Sequence, residues 1–248
     1  MTGEAGMQQL MQTAHSGLEV YDLIHDGPLI SLMEKSFSFW DKISDLDKEA
    51  LMDNISDIRY EKGTCISGSD DSCAGVFLIR SGTLRVYMLS EDGKDLTLFR
   101  LESGDVCILS ASCVLKLVRF EVLIEAETEC RILVINAQFF SELAERNVWV
   151  ENFSYKVAAL RFSDVMDAIQ RIFFLSIDKR LANFLLEEME IKGTDVISLT
   201  HEQIARYIGS AREVVSRTLK SFYVMGAVEL SRGGIKIIDK KLLQSMSR

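Results

Sequence analysis

Arg212, Glu213, Ser216, Arg217 and Lys220 follow one another at steps of one, three, one and three. On an α-helix that spacing puts all five on one face. The chemistry such a face offers is hydrogen bonding in the major groove of duplex DNA. A glutamate carboxylate accepts from the amino group of cytosine, an arginine donates to guanine or to phosphate, and a serine is small enough to admit a base edge. Glu213, Ser216 and Arg217 are therefore the candidate base readers. Arg212 and Lys220 suit phosphate, a contact that positions a protein without specifying sequence. Glu213 has a second use open to it, because Ser210 and Glu213 also have the spacing of a capping box.

A second group of reactive side chains is cysteine. Cys107 and Cys113 bracket Ile-Leu-Ser-Ala-Ser, and Cys65, Cys73 and Cys130 lie in the same half of the chain. The pair could serve as a thiol redox switch or ligate a metal or haem. The spacing matches no recognised zinc or cluster motif, and cysteines are also among the most often buried residues. Irregular spacing in a chain of 248 residues argues for reduced thiols in a cytoplasmic protein rather than a disulfide framework. The histidines are His15, His25 and His201. None falls in the predicted β-region, and no nucleophile elbow, Walker loop or paired-histidine helix is present. The sequence therefore points away from an enzyme and assigns no metal or cofactor.

The elements that must hold the reading face have clear local signals. Thr200-His201-Glu202-Gln203 is a capping box, so a helix should start there and bury Ile204 and Ile208. Gly209 ends it. A second helix, from about Ala211 to Tyr223, buries Val214 or Val215, Leu219 and Phe222. Helix, glycine turn, helix is the geometry that places a second helix in a major groove. Val228 to Leu230 and Ile235 to Ile238 flank Arg232-Gly233-Gly234 and read as a β-hairpin wing, with Arg232 at a tip that can meet phosphate. Thr200, Arg212, Lys220 and Arg232 are the candidate phosphate contacts.

Charge is divided in the same way. The chain carries a formal net charge of −9, yet the segment from Thr200 onward has nine Lys or Arg against four Asp or Glu, a net of +5, which leaves −14 for the remainder. Affinity for a polyanion is thus confined to the C-terminal fifth. With 48% apolar residues the chain can fill a core, and two domains fit its length. No apolar run reaches the roughly 18 to 20 residues that span a bilayer, so no membrane association is expected.

Upstream, residues 1 to 36 contain the single proline, Pro28, and read as a loosely structured or partly helical extension. Phe39, Trp40, Ile43, Leu46, Leu51 and Ile55 then recur at helical spacing. Between Ile58 and Ile135 glycines separate short apolar runs, Val76 to Ile79, Leu84 to Leu89 and Leu96 to Leu101 among them, and Asp92-Gly93 marks a hairpin. A small barrel or sandwich is expected. From Gln138 helical spacing returns, and Val150, Phe153, Val157 and Leu160 form a stripe that seams two helices together or packs on the chain's own β-domain. Asp178 to Glu190 forms a separate amphipathic helix.

These residues together resemble the CRP/FNR superfamily of bacterial transcription regulators, from about Phe37 to the end. The most specific part runs from Thr200 to Gly209 and from Arg212 to Leu219, and the β-domain agrees at Lys62-Gly63, Phe77 to Gly82, Gly104-Asp105 and Ile124 to Ala126. The resemblance implies an α+β fold. It would comprise an N-terminal extension (1–36), a cupin-like, cyclic-nucleotide-binding-domain-like β-roll (37–146), a long dimerisation helix (147–175) and a C-terminal winged helix-turn-helix (176–248). It favours the stripe from Val150 to Leu160 as a homodimer seam, and it implies double-stranded DNA, RNA polymerase and an effector as partners. Glu213, Ser216 and Arg217 match the FNR-like branch, whose half-site resembles TTGAT. Relatives that bind cyclic AMP carry Gly-Glu-Leu and Arg-Ser where this chain has Ile108-Leu109-Ser110 and Phe120-Glu121, so cyclic AMP is not the expected effector. No cysteine precedes Cys65, which also departs from the members that carry an N-terminal iron-sulfur cluster. Cys107 and Cys113 stay as candidate sensing residues for an effector the sequence does not identify.

Overall fold

The computed structural model describes residues 27–67, 75–91, 93, 95–108, 122–231 and 234–247. Eight α-helices and eleven strands are described. Helices α1 (Gly27–Ser36) and α2 (Asp45–Asp53) lead into β1 (Ile55–Tyr60), β2 (Cys65–Ser67), β3 (Val76–Ser81), β4 (Leu84–Leu89), β5 (Asp95–Leu101), β6 (Val106–Cys107), β7 (Leu123–Ala126) and β8 (Cys130–Ile135). Helices α3 (Ala137–Arg146), α4 (Val148–Phe174) and α5 (Ile177–Lys192) follow. The C-terminal unit adds β9 (Val196–Ile197), α6 (His201–Ile208), α7 (Arg212–Val224), β10 (Val228–Ser231), β11 (Gly234–Ile237) and α8 (Lys240–Met246).

The β-strands form two antiparallel four-stranded sheets, in the orders β1-β8-β3-β6 and β2-β7-β4-β5. Phe77, Ile79, Leu84, Val86, Ile124 and Ile132 fill the space between them. The first sheet is buried on its other face too, where Val76, Leu78, Leu133 and Ile135 meet Phe37, Phe39, Phe140 and Phe153. That is why Val76 to Ile79 is a continuous apolar run rather than an alternating one: successive residues feed two different cores. The β4–β5 hairpin forms, with Gly93 at φ +75°; its partner in the sequence motif, Asp92, lies outside the described residues.

Helix starts follow their caps. Ser44, Asn136, Asn147, Ser176, Thr200 and Asp239 each accept a hydrogen bond from a backbone N–H in the first turn of the helix they precede, an arrangement that contributes about 1 kcal/mol per cap. Among the described residues no helix is long and apolar enough to cross a membrane.

Two expectations change. Residues 27–36 belong to the β-domain, because Leu29 and Met33 are buried in its outer core. Pro28 does not disrupt the helix, since it stands in the first turn, where its missing N–H has no intrahelical partner to lose. The stripe named as a dimer seam is also reassigned. Val150, Phe153 and Val157 are buried against the β-domain of the same chain, between Phe37, Phe39 and Phe140, and only Leu160 is exposed. Further along, Val165 and Ala168 pack on Leu98 of β5. The opposite side of α4 carries Asn152, Tyr155, Ala159, Phe162, Met166 and Phe173, all exposed, and Ile169, which continues the three-and-four spacing, is half-buried at its edge against Leu98, Val165 and Ala168. Tyr155, Phe162 and Phe173 are 58%, 56% and 77% exposed.

Candidate nucleic-acid interface

Helix α6 is fixed at both ends. Thr200 Oγ1 accepts from the Gln203 N–H at 3.1 Å while Gln203 Oε1 accepts from the Thr200 N–H at 2.8 Å, completing the reciprocal box. At the other end Gly209 adopts a left-handed conformation, φ +61°, which glycine takes without strain. Helix α7 then starts at Ala211 with no side-chain cap. The capping box available to Ser210 and Glu213 is therefore not formed, and the Glu213 carboxylate is left for a partner.

Val215, Thr218, Leu219 and Phe222 of α7 are buried against α5, α6 and the wing. Arg212, Glu213, Ser216, Arg217 and Lys220 are all exposed. At 3.6 residues per turn these five occupy a sector about 140° wide, turned away from the buried four. Among the described residues none of Arg212, Arg217 and Lys220 pairs with a carboxylate, so their charge is available to phosphate or base. Thr200 stands at the exposed N-terminus of α6, and its hydroxyl still has a proton to donate after accepting from Gln203.

The wing forms as expected and is larger than the sequence suggested. Strand β11 pairs with β10 on one side and with β9 on the other. The Val196–Ile197 strand was missed because two residues carry no periodicity. Gly234 is required here: a Cβ on it would sit 2.6 Å from the Ile197 carbonyl oxygen. Arg232 lies outside the described residues.

The helix pair is docked on the β-domain. A Cβ on Gly209 would meet Leu96 of β5 at 3.0 Å and Ile172 of α4 at 3.3 Å. Arg180 of α5 donates to the carbonyls of Ile208 (2.7 Å) and Gly209 (3.2 Å), closing the end of α6. Beside this contact Arg100 of β5 pairs with Glu188 of α5 and with Glu127 (3.1 Å), and its guanidinium lies 3.7 Å from the ring centre of Tyr207 on α6. Tyr207 donates to Glu127 and stacks on Phe184, with ring centres 5.2 Å apart. Burial alone would push the Glu188 carboxyl up, but Arg100 and Lys192 outweigh it and hold it below the ordinary carboxylate range. Burial keeps the Tyr207 phenol protonated well above its usual range, with help from Glu127. No local motif announces this cluster, since Arg100 and Tyr207 are far apart in sequence.

The cysteines separate into different environments. Cys107 is fully buried opposite Phe77 on β3, in the core between the sheets. Cys113 lies outside the described residues, as do Leu109, Ser110, Phe120 and Glu121. Cys65 is exposed on β2. Cys130 Sγ donates to the Thr83 carbonyl at 3.2 Å, and burial pushes its thiol up. A surface-accessible sensing pair is thus not what the described residues display at Cys107.

Residues 179–246 match the family described as the Crp-like helix-turn-helix domain, and residues 57–147 match the cyclic nucleotide-binding domain. The crystal structure of a protein assigned to the Crp/Fnr family of transcriptional regulators, from Eubacterium rectale, superposes with a TM-score of 0.81 at 42% identity, covering 86% of this chain and 99% of that one. The cAMP-activated global transcriptional regulator Vfr of Pseudomonas aeruginosa is 26% identical over 204 residues, 76% of this chain and 91% of Vfr. The transcriptional activator protein FnrA of Stutzerimonas stutzeri is 26% identical over 205 residues, 78% of this chain and 81% of FnrA. With both domains matched in order around the long helix, the chain belongs to the CRP/FNR superfamily of DNA-binding transcription regulators.

Proposed function

We propose that this regulator binds, as a homodimer, a palindrome close to TTGAT-N4-ATCAA. The observation that carries the reading is the exposed face of α7, where Glu213, Ser216 and Arg217 have no side-chain partner among the described residues. TTGAT contains one G·C pair. Its major-groove edge offers the guanine N7 and O6 acceptors and the cytosine N4 donor, which Arg217 and Glu213 complement, and Ser216 between them leaves room for the base edge. Thr200, Arg212, Lys220 and Arg232 hold the phosphates on either side. RNA polymerase is the second macromolecular partner.

One helix reads half a site, so two copies are needed. The face of α4 running Asn152, Tyr155, Ala159, Phe162, Met166 and Phe173 is the seam that supports this: its steps of three, four and seven are those of a coiled coil, and Asn152 is the kind of polar core residue that fixes register. The signal enters through the β-domain and is not cyclic AMP, given Phe120-Glu121 where binders carry an Arg-Ser pair. Cys107 and Cys113 are its candidate thiols. Since Cys107 is core, oxidation there would act by forcing the sheets apart.

The test is fluorescence anisotropy of the full chain on labelled duplexes at matched salt, because salt changes phosphate binding by itself. The palindrome should bind at least about a hundredfold tighter than a scrambled duplex of equal length. Equal affinity for the two rejects the reading.

A further inference from the structure

The junction between β-domain and winged helix is built from two kinds of contact. Leu96 and Ile172 against Gly209 are apolar and non-directional. The Arg100 cluster is directional. Its guanidinium donates to Glu188, whose side chain is 2% exposed, forms an ion pair with Glu127 at 3.1 Å that lacks hydrogen-bond geometry, and lies 3.7 Å from the ring centre of Tyr207, which itself donates to Glu127. Arg100 of β5, Glu127 of the β7–β8 turn and Tyr207 of α6 thus close a ring of contacts, to which Glu188 of α5 is joined through Arg100. Arg206 of α6 adds a pair to Asp95 at 3.7 Å, on the same strand as Arg100. A buried ion pair adds little net stability over apolar residues of the same volume, while its geometry tolerates little displacement. Only an arginine can fork between two carboxylates and also stack on a ring.

Arg100 touches neither the reading face nor the seam. It joins the domain that carries the seam helix to the two helices that carry α7. The reading face stays uncovered in this arrangement, so the docking does not act by hiding it.

We propose that Arg100 is a positioning residue for DNA recognition: by clamping Glu188 and Tyr207 it fixes the angle at which α7 is presented relative to the α4 seam, and so sets the half-site spacing that the dimer accepts. This rests on the homodimeric reading given above.

The test uses full-length wild type and Arg100→Met on duplexes carrying the two half-sites separated by two, three, four, five or six base pairs, and on a single half-site. Wild type should prefer the four-base-pair spacer. In Arg100→Met the affinity for that spacer falls by a factor of about ten, the scale of coupling between residues in contact, while the single half-site and the other spacers change by less than about twofold. The preference flattens. Glu188→Gln, which keeps the shape and leaves Arg100 its ion pair with Glu127, should flatten it less. It also serves if Arg100→Met fails to fold. An unchanged preference in folded Arg100→Met overturns the proposal. So does an equal loss on every duplex, the mark of a merely structural role, and so does a gain on the four-base-pair spacer. Small-angle scattering of the DNA-free proteins reads the clamp without reference to any half-site: the radius of gyration should rise in Arg100→Met, and an unchanged radius also counts against it. If wild type ignores the palindrome altogether, the half-site reading fails and the scattering result alone decides the clamp.

Discussion

Replacing Phe162 with glutamate should convert the dimer to monomer at concentrations where wild type is fully associated. Phe162 is 56% exposed on the outward face of α4. An aromatic side chain presents about 200 Å², so about 110 Å² per copy is open to a partner. Burying that area on both copies at about 25 cal/mol per Å² gives about 5 to 6 kcal/mol. A two-helix seam leaves part of each side chain wet, and half the figure, about 3 kcal/mol, is the working value. The substitution also sets two carboxylates against each other across the twofold axis. A loss of about 3 kcal/mol raises the dimer dissociation constant about a hundredfold. Sedimentation equilibrium on Phe162→Glu, with Val157→Ala as the contrast, measures it. Val157 is buried in its own chain, so its truncation should lower the melting temperature and leave the dimer constant unchanged. A Phe162→Glu protein that associates as tightly as wild type, or a Val157→Ala protein that folds well but dissociates, refutes the assignment of the two faces.

Arg217→Met should cost about 1 to 3 kcal/mol on the palindrome and relax discrimination at its G·C pair, whereas Lys220→Ala should weaken all duplexes alike and reduce the salt slope by about one per monomer; anisotropy against salt separates the two. Thr200→Ala removes one half of the capping box and should lower stability by about 1 kcal/mol in chemical denaturation, with a further loss of DNA affinity from the missing phosphate donor. The domain junction should not titrate near neutrality. Glu188 sits below its ordinary pKa, so its contribution is complete above about pH 4.3 and is lost only on further acidification. Tyr207 sits above its own, so its contribution persists below about pH 10. Spacer preference should be flat from about pH 5.5 to about pH 9, and a midpoint near pH 7 would show that another group controls the docking.

The winged helix was legible because its signals are local. Thr200 and Gln203 are three residues apart, Gly209 marks the turn, and Glu213, Ser216 and Arg217 sit within one helical turn of one another. The hairpins of the β-domain were legible for the same reason. The burial of the Val150 stripe in its own chain was not, because α4 carries two stripes with similar three-and-four spacing on different sides. Only the aromatic cluster of Phe37, Phe39 and Phe140, distant in sequence, decides which stripe is taken. Pro28 was uninformative for a related reason: its meaning depends on whether it falls in the first turn of a helix or within one, and that requires knowing where the helix starts. Arg100 left no trace at all, since its partners at 127, 188 and 207 are assembled by tertiary structure.

The turn at Gly209 is wedged between Leu96 and Ile172, and so it serves as a fulcrum for the helix that follows. Arg217 lies about 12 Å along that lever and Lys220 about 16 Å, at 1.5 Å per residue. A tilt of about 10° at the turn therefore displaces Arg217 by about 2 Å and Lys220 by about 3 Å, enough to carry a donor out of hydrogen-bonding range. A shift of β5 at Leu96 that tilted the turn by this much would displace the exposed face of α7 without the β-domain unfolding or releasing the winged helix, the length of α7 providing the gain.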